Sequence, residues 1–216
     1  MTPKDWTHQK LLGSWEANLP IRIHQLRDWM KGNDCVVVAP GPSSKGGSQH
    51  PLPYAGWRTY KKHWTLACNR AVEYASPDFA VCMETRKQPI WESHILPNQP
   101  ILTFTHITNP PPRCVQIHSD LSVWMKPYAP KNLRLGMSPF YAAAVACWLG
   151  FGRIGIIGVD LTPDRFTCET FLRKSEEAWT SLATVAKDMG SELVQLNPQS
   201  RLKAIPVGKW EDVRTK

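Results

Sequence analysis

The run Cys35-Val36-Val37-Val38-Ala39, followed at once by Pro40-Gly41-Pro42-Ser43-Ser44, constrains this chain more than any other stretch. A continuous β-branched segment reads as a strand buried on both faces, as in a parallel sheet covered on each side. The turn that follows cannot extend the strand, because two of its residues are proline. Further short apolar runs at Trp64–Cys68 and at residues 79–83, 100–105, 114–117, 153–159 and 192–196 read as strands. Helical signals stand at Ser138–Leu149, closed by Gly150, and at 169–189, closed by Gly190. Ser138 is placed to cap the first of these helices, and Pro139 suits its first turn. Residues 21–30 read as an amphipathic helix stopped by Gly32 and Asn33.

Strands alternating with helices predict an α/β fold: a Rossmann-like three-layer sandwich with a mostly parallel sheet and helices on both faces. The 216 residues suit one domain, with 1–33 as an N-terminal helical extension. The proline-rich segment 107–133 is the candidate active-site loop. No stretch reaches the roughly 18 apolar residues of a membrane span. The first 13 residues carry no apolar signal core, and the expected location is the cytoplasm, with no membrane partner. None of the six cysteines forms a CxxC pair, so they read as buried free thiols rather than zinc ligands.

The net charge of +8 lies wholly before residue 160. Between Cys35 and Val72 there is no acid, but there are Lys45, Arg58, Lys61, Lys62 and Arg70. A positive field beside a glycine-serine turn favours capture of an anion.

In open α/β sheets ligands bind at the carboxyl ends of the strands. The polar residues standing there are therefore the candidates. After the first strand come Gly41, Pro42, Ser43 and Ser44, whose backbone and hydroxyls suit phosphate oxygens. Asn69 and Arg70 follow the second strand, Glu84 the third, His106 the fourth, and Asp160 the glycine-rich strand. His106 is the candidate general base, with His50 and His118 as rivals. Glu84 is a carboxylate at a strand end, suited to a ribose diol or a divalent ion. No metal-ligand spacing is evident, and metal dependence is left open.

The order of these motifs resembles a known group. Its carriers are residues 36–44, Ala67-Cys68-Asn69-Arg70-Ala71, residues 77–84, residues 136–146, residues 154–161 and residues 196–202. The chain resembles the Rossmann-like superfamily of bacterial sialyltransferase-like glycosyltransferases and archaeal-type 6-hydroxymethylpterin pyrophosphokinase-like proteins, which includes many small bacteriophage-encoded members. The resemblance covers residues 34–205. It implies that Gly41, Ser43 and Ser44 contact donor phosphates, that Asn69 contacts the nucleotide, and that Ser138 and Asp160 face the site. It does not fix a histidine base.

Three functions follow. The first is a glycosyltransferase with a nucleotide-sugar donor as co-substrate and an acceptor on phage or modified nucleic acid. In that reading His106, Asp160 and Glu84 are the catalytic residues. The second is an ATP- and magnesium-dependent pyrophosphokinase acting on a pterin-type alcohol, with Glu84 and Asp160 near the metal. The third is a non-catalytic binder of nucleotide or nucleic acid, stacking bases on Trp57, Trp64 and Trp124.

Overall fold

The computed structural model describes residues 23–45, 62–75, 77–83, 102–106, 114–161 and 169–216. Seven strands form one sheet: β1 (Cys35–Val38), β2 (Trp64–Cys68), β3 (Phe79–Cys82), β4 (Leu102–Thr105), β5 (Cys114–Gln116), β6 (Arg153–Ile157) and β7 (Glu192–Gln195). Their order is β5-β4-β3-β2-β1-β6-β7, and every pair is parallel. The predicted Rossmann-like α/β class is therefore what the chain adopts. All four residues of β1 are fully buried, as its β-branched run requires.

Among the described residues four helices accompany the sheet: α1 (Pro42–Lys45), α2 (Val72–Ala75), α3 (Ser138–Leu149) and α4 (Glu169–Asp188). One sheet face, carrying Val37, Leu66, Phe79, Phe104 and Ile156, packs under α3 and α4 in the main core. The other face, with Val36, Val38, Ala67 and Ile157, is covered by Val72 and Ala75 of α2 and by Val213. Helices thus lie on both faces.

All twelve residues of α3 are buried. Its alanines let it lie close on the sheet, while Phe140 meets Trp179 of α4 edge-on at 5.5 Å and Trp148 meets Trp124 at 5.9 Å. It is a helix enclosed on every side, not one with a single apolar face. Its cap also differs from expectation. The N-cap is Met137, without a side-chain cap bond, and Ser138 is already inside the helix. Gly150 ends it with φ 86°, as its sequence predicts.

The amphipathic helix expected at 21–30 does not form across its described part. Ile23–Leu26 is a 3-10 turn. The N–H groups of Asp28 and Met30 instead donate to the carbonyls of Trp148 and Leu149, at 3.0 and 2.6 Å. Tertiary hydrogen bonds at the carboxyl end of α3 thus outcompete a local helix. Residues 1–22 of the proposed extension lie outside the described residues, as do Cys168 and 107–113. The rest of the proposed loop, 114–133, is β5 and a compact turn, with Leu121 and Met125 fully buried. Asp120 holds that turn, accepting from the N–H groups of Ser122 and Asn132. The five described cysteines are buried and free. No described helix is long and apolar enough to cross a membrane.

At the amino edge, Asp34 ties the chain's last segment to β1 and β6. It accepts from the N–H of Arg153 at 3.0 Å and from the N–H, Nε and Nη2 of Arg214 at 3.0, 2.9 and 3.0 Å. Burial pushes this carboxyl up, but the Arg214 and Arg153 donors outweigh it and hold it below the usual range. The folded value lies below the unfolded one, so this stabilisation is complete above about pH 4 and is lost as pH falls through the folded value. Melting curves of wild type and Asp34→Asn are expected to converge below about pH 4 and to separate above it. A constant gap across the acid range would contradict this.

Candidate active site

The strand order reverses its direction of growth between β1 and β6, so the chain leaves β1 toward β2 on one side and returns to β6 on the other. Loops leaving the carboxyl ends of two such strands diverge and open a crevice. Here those loops are residues 39–45 and 158–161, and the crevice that the topology implies lies above the point where they meet.

The two loops are stitched together. The ladder runs past the strands, with the N–H of Ala39 donating to Ile157 O at 2.9 Å and that of Gly41 to Gly158 O at 3.0 Å. Asp160 lies three residues beyond β6. Its carboxylate accepts from Ser43 N–H at 2.9 Å, from Ser43 Oγ at 2.5 Å and from Asn197 Nδ2 at 2.7 Å. Ser43 Oγ also accepts from Gly158 N–H at 3.0 Å. Among the described residues Asp160 forms no ion pair.

Two glycines make this approach possible. A Cβ on Gly41 would stand 2.2 Å from Gly158 O, and one on Gly158 would stand 2.0 Å from Ala39 O. Gly158 also has φ 81°. Ser44 closes the far side. Its Oγ lies 2.5 Å from Ala39 O, 2.8 Å from Gly41 O and 2.7 Å from the Tyr74 hydroxyl. Burial pushes the Tyr74 phenol up to about 12, against the opposing Ser44 hydrogen bond, so it stays protonated as a donor.

A second polar pair lies beside the crevice, over β2. Ser138 Oγ donates to Asn69 Oδ1 at 3.3 Å, joining the start of α3 to the end of β2. Asn69 holds φ 50°, and Leu161 on the opposite lip holds φ 52°. Left-handed backbone at a non-glycine residue is strained and accumulates at functional sites. The chain matches no protein-family model and no curated protein. Among solved structures it is similar to the alpha-2,3-sialyltransferase from Campylobacter jejuni in apo form, at 16% identity with a TM-score of 0.47, over 82% of this chain and 81% of that one.

Gly41, Pro42, Ser43, Ser44 and Asp160 are thus brought together at the switch point, with Asn69 and Ser138 one strand away. The serine hydroxyls turn inward, while Pro42 is exposed at the loop's surface. His106 stands apart, at the end of β4. Three strand spacings separate β4 from β1, about 14 Å. Its ring is half-buried, and among the described residues its enclosed Nδ1 meets no hydrogen-bond partner. Arg70 is exposed and pairs loosely with Glu73 at 4.0 Å. Glu84, His50 and Trp57 lie outside the described residues. His118 is exposed and accepts from the N–H of Asp120. Trp64 and Trp124 are packed, Trp64 on Phe79 and Trp124 on Trp148. Among the described residues no three His, Cys, Asp or Glu side chains cluster as metal ligands do.

Asn197 and Tyr74 were not among the sequence candidates. Asn197 has a visible signal, because it stands just past β7, the strand beside β6. Tyr74 has none, since only the fold brings it under Ser44.

Proposed function

We propose that this chain is a transferase that seats a nucleotide-sugar donor in the crevice between β1 and β6 and passes the glycosyl group to an acceptor hydroxyl. The observation that carries the proposal is the pinned pair of loops at the switch point, where Ser43, Asp160 and Asn197 fix the backbone on which a donor would rest. The motif order of residues 36–44 and 154–161, with its resemblance to glycosyltransferases, supports the choice of donor. Asp160 accepts three hydrogen bonds, which suits holding the loops rather than taking a proton.

In this reading the donor phosphates lie over the exposed surface of the loop at Pro42, whose own N–H groups at Gly41, Ser43 and Ser44 are spent on holding the loop in shape. Asn69, braced by Ser138, orients the nucleoside. His106 is assigned the proton of the acceptor hydroxyl, which requires the bound sugar to extend about 14 Å along the sheet edge, from the β1 crevice to the end of β4. The acceptor oxygen bonds to the anomeric carbon as the bond from that carbon to the phosphate oxygen breaks, and the nucleotide leaves with the electron pair. The basic balance before residue 160 favours nucleic acid as the acceptor.

The test is a melting screen with CMP, UDP, GDP and ATP, with and without magnesium. A rise with CMP or a nucleoside diphosphate that needs no metal supports glycosyl transfer. A rise confined to ATP with magnesium replaces it by the pyrophosphokinase reading, and silence with all four removes the donor site. Once a donor is found, His106→Gln is expected to lower kcat by about 10²–10⁴ with the melting shift intact. Unchanged kcat would take the base role from His106.

A further inference from the structure

We infer that the groove between residues 130–136 and the first half of α4 seats the phosphodiester backbone of a single-stranded nucleic acid. The groove holds about 690 Å³. Lys131 and Arg134 project from one wall and Lys174 from the other, and all three are exposed. Among the described residues none of the three has an ion pair. Among the described lining residues the one acid, Glu177, is engaged by Arg173 at 3.2 Å. Buried Leu135 and Ala178 line the groove between the charges, and half-buried Phe171 stands in the first turn of α4.

Unpaired cations spread along a trough with apolar lining match a ligand that repeats its anions and carries flat apolar faces between them. A single strand has that pattern: its phosphates track cations while its bases meet apolar and aromatic surface. A lone small anion would leave most of the trough unused.

The fold aims the groove at the crevice. Residue 136 leads directly into α3, whose Ser138 meets Asn69 at the carboxyl end of β2. α4 connects β6 to the parallel β7, so its first turns also lie at the carboxyl edge. A strand laid in the groove would run toward the switch point. Its role as acceptor path rests on the transferase proposal; the binding itself does not.

The experiment measures anisotropy of a dye-labelled oligothymidylate of about 12 nucleotides, without donor, between about 50 and 200 mM salt. The variants are Lys131→Gln/Arg134→Gln/Lys174→Gln and a charge-matched control, Lys31→Gln/Lys187→Gln/Lys209→Gln. Each lost single-strand phosphate contact lowers the slope of log affinity against log salt by about 0.7, so the groove variant is expected to lose about 2. Its affinity at the lowest salt should fall at least tenfold, and the control should keep the wild-type slope. No binding by wild type, equal slope losses in both variants, or tighter binding of a duplex would overturn the inference. Melting with the donor nucleotides is read alongside. A donor shift without oligonucleotide binding removes the groove alone, whereas oligonucleotide binding without a donor shift removes the donor site alone.

Discussion

Asp160→Ala is expected to lower unfolding free energy by about 3–5 kcal/mol, read as a fall in urea midpoint with little change in slope. The side chain is buried, and three donors end on it: the N–H and Oγ–H of Ser43 and the amide of Asn197. Removing the acceptor leaves them without partners where water does not reach easily, at about 1–3 kcal/mol each before local relaxation. Asp160→Asn is a sharper probe. It keeps the shape but turns an amide NH₂ toward one set of donors, so it should remain destabilising by about 1–3 kcal/mol. A neutral result for both variants would mean that the loops hold together without this carboxylate. The donor-induced melting shift should also shrink in Asp160→Asn, because the backbone it fixes is the proposed donor seat.

Gly158→Ala carries the other large effect, about 4 kcal/mol or more, enough to leave little soluble protein. Two costs act together. Residue 158 has φ 81°, and a methyl there would overlap Ala39 O, an atom of the core strand's own continuation. The comparison that isolates the clash is Gly190→Ala. Gly190 also has φ 81°, but nothing lies within 4 Å of its would-be Cβ. That variant should pay only the left-handed backbone penalty, about 1–2 kcal/mol. Equal losses at the two positions would show that backbone conformation, not loop-to-loop contact, makes Gly158 necessary.

The sheet was legible because its signals are local. The β-branched run before Pro40, the apolar runs at 64–68 and 79–83 and the glycine after Leu149 each declare an element within a few residues. The collection of site candidates at strand ends was legible for a topological reason, since a parallel sheet sends all those ends to one edge. What stayed hidden depends on long-range partners. Ser138 followed by proline looks like a cap, yet its hydroxyl turns to Asn69, which lies 69 positions earlier. Residues 23–30 have helical spacing, yet the N–H groups of Asp28 and Met30 find the carbonyls ending α3. Ser43 and Ser44 read as phosphate ligands, and only the packed structure shows their hydroxyls engaged by Asp160, Ala39 and Tyr74. Nor does any residue pattern announce the left-handed backbone at Asn69 and Leu161, which arises from how the chain must turn out of the sheet.

β1 occupies an interior position, bonded on one side to β2 and on the other to β6. Its amides should therefore resist deuterium until the entire domain opens, while those of the three-residue outer strand β5 are released by fraying. The crevice hangs from the strand expected to exchange most slowly, so its shape should persist through the small openings that loosen the periphery.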